Sequence, residues 1–125
     1  MKPRYRCITN NPMLRIHEGL LTDYKKQSVT ELYQRTISEL RKGYRLLLHP
    51  LSGSIRPDQS PYKSILVTLD QSEPDQEGIR LTEQAVRYMK DMPLYGRKIC
   101  WNQEARLDFQ YIDKDIIECA LNRNL

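Results

Sequence analysis

The stretch HPLSGSIRPDQSPY, from His49 to Tyr62, gathers side chains that suit an anion. Gly53 can take a positive φ and turn neighbouring backbone N–H groups into a concave arrangement. Ser52 and Ser54 add hydroxyl donors, Arg56 adds a fixed cation, and His49 changes charge near neutral pH. Pro50, Pro57 and Pro61 stiffen the segment and lower the entropy lost when a ligand orders it. Tyr62 closes the loop. Asn10 and Asn11, in the early TNNP turn, supply neutral donors if that turn lies alongside. The plainer alternative is that these hydroxyls bond their own backbone and that His49 packs or caps a strand end. A loop this long without helical or strand pattern is usually functional or disordered in a small domain, and we read it as functional.

Known catalytic frames are missing. The chain has no GxxxxGK[ST] phosphate loop, no GxGxxG fingerprint and no GxSxG elbow. His17 and His49 are its two histidines, and no His/Cys/Asp/Glu group has metal-ligand spacing, so no metal is expected and no motif names a cofactor. Cys7, Cys100 and Cys119 form no CxxC pair and read as reduced thiols buried in strands or helices. Asp113 and Asp115 read as the solvated start of a last helix.

The elements that must position the loop follow from periodicity. YRCIT (Tyr5–Thr9) reads as a strand ended by Asn10–Pro12, residues 13–19 as a short helix ending at Gly19, and LLTDY (Leu20–Tyr24) as a second strand. Ser28 and Glu31 form a capping box ahead of a helix from Val29 to Lys42, with Val29, Leu32, Tyr33, Ile37 and Leu40 on one face and Gly43 as its stop. Tyr44–His49 and Ser64–Leu69 are nearly continuous in apolar residues, as strands buried on both faces are. A helix spans about Asp75 to Met92, ended by Pro93. Arg97–Trp101 reads as a strand or a buried turn. In RLDFQYID, Leu107, Phe109 and Tyr111 alternate with polar residues, which predicts a half-buried strand before a helix capped by Asp113; a helix continuing from Phe109 is the alternative. Together these predict a compact single α/β domain, 1–125, with a central sheet of about 4–5 strands flanked by helices. Ligands bind such sheets beyond the carboxyl ends of parallel strands. If the strands ending at Thr9 and His49 are parallel neighbours, TNNP and HPLSGS emerge side by side.

Charge is uneven. Residues 1–63 carry twelve Lys/Arg against five Asp/Glu, and residues 64–125 carry eight against eleven. The basic half lacks a Lys/Arg cluster interleaved with stacking aromatics, so nucleic acid is not an expected partner. No apolar run approaches the ~20 residues of a membrane helix, and the start lacks the apolar segment of a secretion signal, so a cytoplasmic protein is expected.

The ITNNP turn, the run LRKGYRLLLHPLSGSIRP, the following SPYKSILV and the late DFQYIDKDIIECAL resemble the GrdX family across nearly the whole chain. Members are small bacterial proteins encoded alongside glycine reductase components in amino-acid-fermenting anaerobes. The resemblance implies a cytoplasmic accessory protein in reductive amino-acid metabolism and carries no catalytic residues with it. Two functions are therefore expected to compete. One is a non-catalytic accessory protein in which the 49–62 loop and TNNP hold a small anionic ligand or a segment of a reductase-complex subunit. The other is a small enzyme acting on an amino-acid-derived or phosphorylated metabolite, with His49 as acid/base, Ser52 or Ser54 as nucleophile or orienter, and Arg56 as clamp.

Overall fold

The computed structural model of the chain describes residues 3–53 and 56–123. Among them β1 (Tyr5–Thr9) is the central strand of a three-stranded sheet. β2 (Leu20–Tyr24) runs parallel on one side and β3 (Ser64–Val67) antiparallel on the other. Three helices flank it: α1 (Val29–Arg41), α2 (Gln76–Lys90) and α3 (Gln103–Asn122).

Strand alternation sorts the side chains into two cores. On one face Ile8, Ile65 and Val67 pack with Leu32, Tyr33, Ile37 and Leu40 of α1 and Ile79, Val86 and Met89 of α2. On the other, Cys7, Leu20 and Leu66 meet Ile117, Ala120 and Leu121 of α3. The next pair in register on the α3 side is Thr9 opposite Ser64, which is polar. Local signals set the helices. Ser28 Oγ accepts from the Glu31 amide at 3.1 Å while Glu31 Oε1 accepts from the Ser28 amide at 3.0 Å. Gly43, at φ +107°, turns the chain out of α1 so closely that an added Cβ would lie 2.1 Å from the Ser72 carbonyl oxygen.

Three expectations are corrected. The sheet has three strands rather than 4–5, because Tyr44–His49 contributes only a bridge between Leu46 and Val67. Leu47 N donates to Leu66 O, but the outward Leu46 amide donates to Asp75 Oδ2 at 2.8 Å. A helix cap has taken the donor that a further strand would use. Secondly, Leu107–Asp113 is helix, not strand. Its inward positions are Gln110 and Asp113, while Leu107, Tyr111 and Ile112 face solvent. Polar residues on the buried stripe hide the helical period, and Asn102 caps the helix earlier, accepting from Ala105 N at 2.8 Å. Thirdly, the 13–19 helix shrinks to one 3-10 turn at Pro12–Leu14, and Arg97–Trp101 has no regular structure. Of the thiols, Cys7 is buried, which pushes its pKa well up, whereas Cys100 and Cys119 are exposed.

Gly43→Ala forces both a strained φ and a backbone collision, so it should cost about 2 kcal/mol or more. Ser28→Ala should cost about 1 kcal/mol, the usual value of an N-cap. Urea unfolding of the two variants checks that order.

Candidate functional site: a buried polar cluster beneath the proline-rich loop

β1 and the Tyr44–His49 segment are both antiparallel to β3. They therefore run the same way, on either side of β3 rather than as adjacent neighbours, and their carboxyl ends flank its first residues. Asn10 closes the gap. Its Nδ2 donates to Gln27 O (2.9 Å) and Pro61 O (3.0 Å), and its Oδ1 accepts from Lys63 N (2.8 Å). The loop is tied down elsewhere by Tyr33 Oη on Pro50 O (2.8 Å), Lys63 Nζ on Ser52 O (3.1 Å) and Trp101 Nε1 on Gln59 O (3.2 Å).

Beneath this junction lies Asp113, in the middle of α3 and buried. Its Oδ2 accepts from Ser64 Oγ at 2.6 Å and from Asn11 Nδ2 at 3.0 Å. Asn11, fully buried, also donates to Gln110 O and accepts from Met13 N, which caps the 3-10 turn. Thr9 Oγ1 meets Ser64 Oγ at 2.6 Å and accepts from Asn11 N at 2.9 Å. Gln110 Nε2 donates to Tyr62 Oη at 3.0 Å. The stripe of α3 that is apolar over the start of β1 thus becomes polar over its end, opposite Thr9 and Ser64.

Above the cluster, loop and helix border a half-open cavity of about 200 Å³. Lys63 and Asp113 line it, Phe109, Ile112 and Ile116 form an apolar wall, and Arg56 and Tyr62 stand on the loop side. Burial pushes the Asp113 carboxyl up, against the opposing pull of Ser64, Asn11 and Lys63. Burial pushes the Lys63 ammonium down, against the attraction of Asp113. Each group therefore resists its charged form, and an arriving ion changes the balance between them.

The loop residues fall into separate places. Gly53 has the positive φ its sequence suggests, +73°, and also leaves room for Ile116: an added Cβ would lie 2.6 Å from Ile116 Cδ1. Its replacement disturbs the seat of α3 as well as the loop. Arg56 lines the cavity with Nε and Nη2 donating to Asp58 (3.2 and 3.1 Å), and Ser52 reaches Lys63 through its carbonyl. His49 is exposed over a different depression beside Arg45 and Gly78, and its Nδ1 accepts from Leu51 N. The contact between His49 and Ser52 is backbone to backbone. Ser54 lies outside the described residues. Asn10 and Asn11 spend their amide donors on the protein itself.

Sequence reasoning missed Lys63 and Asp113. Asp113 is no solvated helix start; it lies one turn before Ile117 on the buried face. The available signals were a lysine opening the otherwise apolar run KSILV and an aspartate four residues before an inward isoleucine.

The fold and this cluster define a small mixed α/β protein with a mainly apolar cavity, lined also by Lys63 and Asp113, where a sheet end meets a helix. The model of the GrdX-like protein family matches residues 6–122, and the chain belongs to that family. No curated protein and no solved structure matches it. Among the described residues no helix is long and apolar enough to cross a membrane.

Asn11→Ala should destabilise by roughly 2–4 kcal/mol, because it leaves Asp113 and the Gln110 carbonyl short of a donor in the interior. Asp113→Asn keeps an acceptor for Ser64 but removes the ionisation. The raised folded pKa means that the native carboxyl contributes fully below the ordinary carboxylate range and loses that contribution as pH rises through the folded value. Asp113→Asn should therefore gain on the parent as pH rises above the ordinary carboxylate range. Thermal melts across that rise read the difference; a constant gap would refute the raised carboxyl.

Proposed function

We propose that this GrdX-like protein is a non-catalytic accessory protein of glycine reductase-type amino-acid metabolism in the cytoplasm, and that it binds a small anion in the cavity between loop 49–62 and α3. The observation that carries this reading is the presence of Lys63 and Asp113, both buried, on one cavity wall. Lys63 keeps Nζ on the Ser52 carbonyl while lining the cavity, so its ammonium charge bears on whatever enters there. A carboxylate or phosphate entering the cavity is attracted by the Lys63 ammonium that lines it. Asp113, once protonated, donates a hydrogen bond to the same ligand. Arg56 is the second cation within the lining, Tyr62 and Gly53 shape the mouth, and the Ser52 carbonyl holds Lys63 Nζ. Asn10 and Asn11 serve by holding the loop and Asp113 in place. The wall of Phe109, Ile112 and Ile116 favours a ligand with a short apolar part.

This arrangement couples affinity to pH. Anion binding favours protonated Asp113, so it should tighten as pH falls through the raised carboxyl value. The family's association with reductase systems makes a subunit of such a complex the natural source or recipient of the ligand.

Isothermal titration with acetate, glycine and inorganic phosphate tests the assignment and separates carboxylate from phosphate. The parent should bind one class, and Lys63→Met should lose at least about tenfold, the ~1.4 kcal/mol of a modest charge-assisted contact. Asp113→Asn should bind with little pH dependence. Equal binding by parent and Lys63→Met, or none by either, rejects the site.

A further inference from the structure

We infer that the groove at the carboxyl ends of β1 and β2 binds a mononucleotide, a phosphate dianion that carries a planar ring. β1 and β2 are the parallel neighbours of the sheet, with Thr9 opposite Tyr24 and the ladder continued by Lys25 N on Thr9 O. Sheets of this class bind ligands in the crevice outside the carboxyl ends of parallel strands. Here that crevice is a half-open groove of about 900 Å³, bordered also by the first turns of α3. Tyr62 is the one described residue that lines both this groove and the cavity of Lys63 and Asp113, so the two sites are separate.

Lys26, just past β2, and Arg106, near the start of α3, both line the groove. Neither has an ion pair among the described residues. The reasons are local. Asp23, the carboxylate nearest Lys26 in sequence, already meets Arg6 at 2.8 Å and Arg35 at 3.6 Å. On its own helix Arg106 has Asn102, Gln103, Phe109 and Gln110 at the positions that could pair with it, and none is acidic. No Asp or Glu lines the groove among the described residues. Two unpaired cations with no competing carboxylate favour a dianion.

The rest of the lining selects a ring. Tyr24, Tyr62 and Trp101 contribute partly exposed aromatic surface. Two of them are already fixed: Trp101 Nε1 donates to Gln59 O at 3.2 Å, and Tyr62 Oη accepts from Gln110 Nε2 at 3.0 Å. Rings held in place lose little freedom when a base stacks on them. Gln27 borders the groove with a buried side-chain oxygen that meets no donor among the described residues, so a ligand N–H finds an acceptor there without breaking an existing bond. A nucleobase brings such N–H groups beside its π-face, whereas a run of acidic side chains meets the cations but brings no ring.

Trp101 is the only tryptophan of the chain, so its fluorescence reports on the groove directly. In fluorescence and calorimetric titrations of the full chain, AMP should change Trp101 emission and bind at least about tenfold more tightly than adenosine or inorganic phosphate. Lys26→Gln and Arg106→Gln, both at exposed positions, should each weaken AMP about three- to tenfold with unchanged far-UV circular dichroism. Lys63→Met, which tests the other cavity, should leave AMP affinity within about twofold; if it does not fold, the two cation substitutions decide alone. No AMP binding, AMP no tighter than adenosine or phosphate, indifference to both cation substitutions, or a loss in a folded Lys63→Met variant overturns the site. A chain that ignores AMP and binds hexaglutamate overturns it equally, and makes the groove a peptide site.

Discussion

The Oδ2 atom of Asp113 joins three parts of the chain that are far apart in sequence. By accepting from Asn11 and Ser64 it ties the turn after β1 and the first residue of β3 to the middle of α3. A buried carboxylate without donors would be costly, so those two donors have to be supplied wherever α3 lies over the sheet end. That requirement fixes the helix lengthwise, because sliding α3 by one turn would bring Ile117 to Ser64 and leave Asp113 against no donor. The apolar contacts of Ile117, Ala120 and Leu121 hold α3 on the sheet; the carboxyl sets where along the sheet it stops.

The same constraint explains the cavity. The polar layer formed by Thr9, Ser64, Asn11 and Gln110 lies where the apolar core ends, and Gly53, Arg56, Gln59, Ser60 and Tyr62 of the loop border the cavity beside it. Asn10 holds that loop at Pro61 and Lys63. Lys63 is then buried between the Ser52 carbonyl and the cavity. Two ionisable groups that each resist their charged form share one small space. That combination perturbs pKa values in opposite directions and is common where ligands bind.

Much of the fold was legible in the letters. Tyr5–Thr9, Leu20–Tyr24 and the helix opened by Ser28 and Glu31 follow from short-range rules, and the structure places them within a residue or so of expectation. The family resemblance also rested on residues alone, and the match over 6–122 bears it out. Legibility failed where a residue's environment came from a distant partner. Leu46 has the composition of a buried strand, yet Asp75 takes its amide. Gln110 and Asp113 look like solvent-facing positions because polar residues on a helix usually are, so the true helix looked like an alternating strand.

The sequence by itself determined the local vocabulary: which segments turn, which begin helices, where φ must be positive, and that TNNP and the proline-rich loop carry unusual polar residues. Tertiary structure alone decided what those residues touch. It spent the amides of Asn10 and Asn11 on internal joints, left His49 over another depression, and brought Lys63 and Asp113 to a common wall. The physical reason is range. Capping, turn formation and amphipathic period act over a few residues, whereas desolvation and the hydrogen bonds that compensate it depend on groups brought together only by the packing of α3 against the sheet.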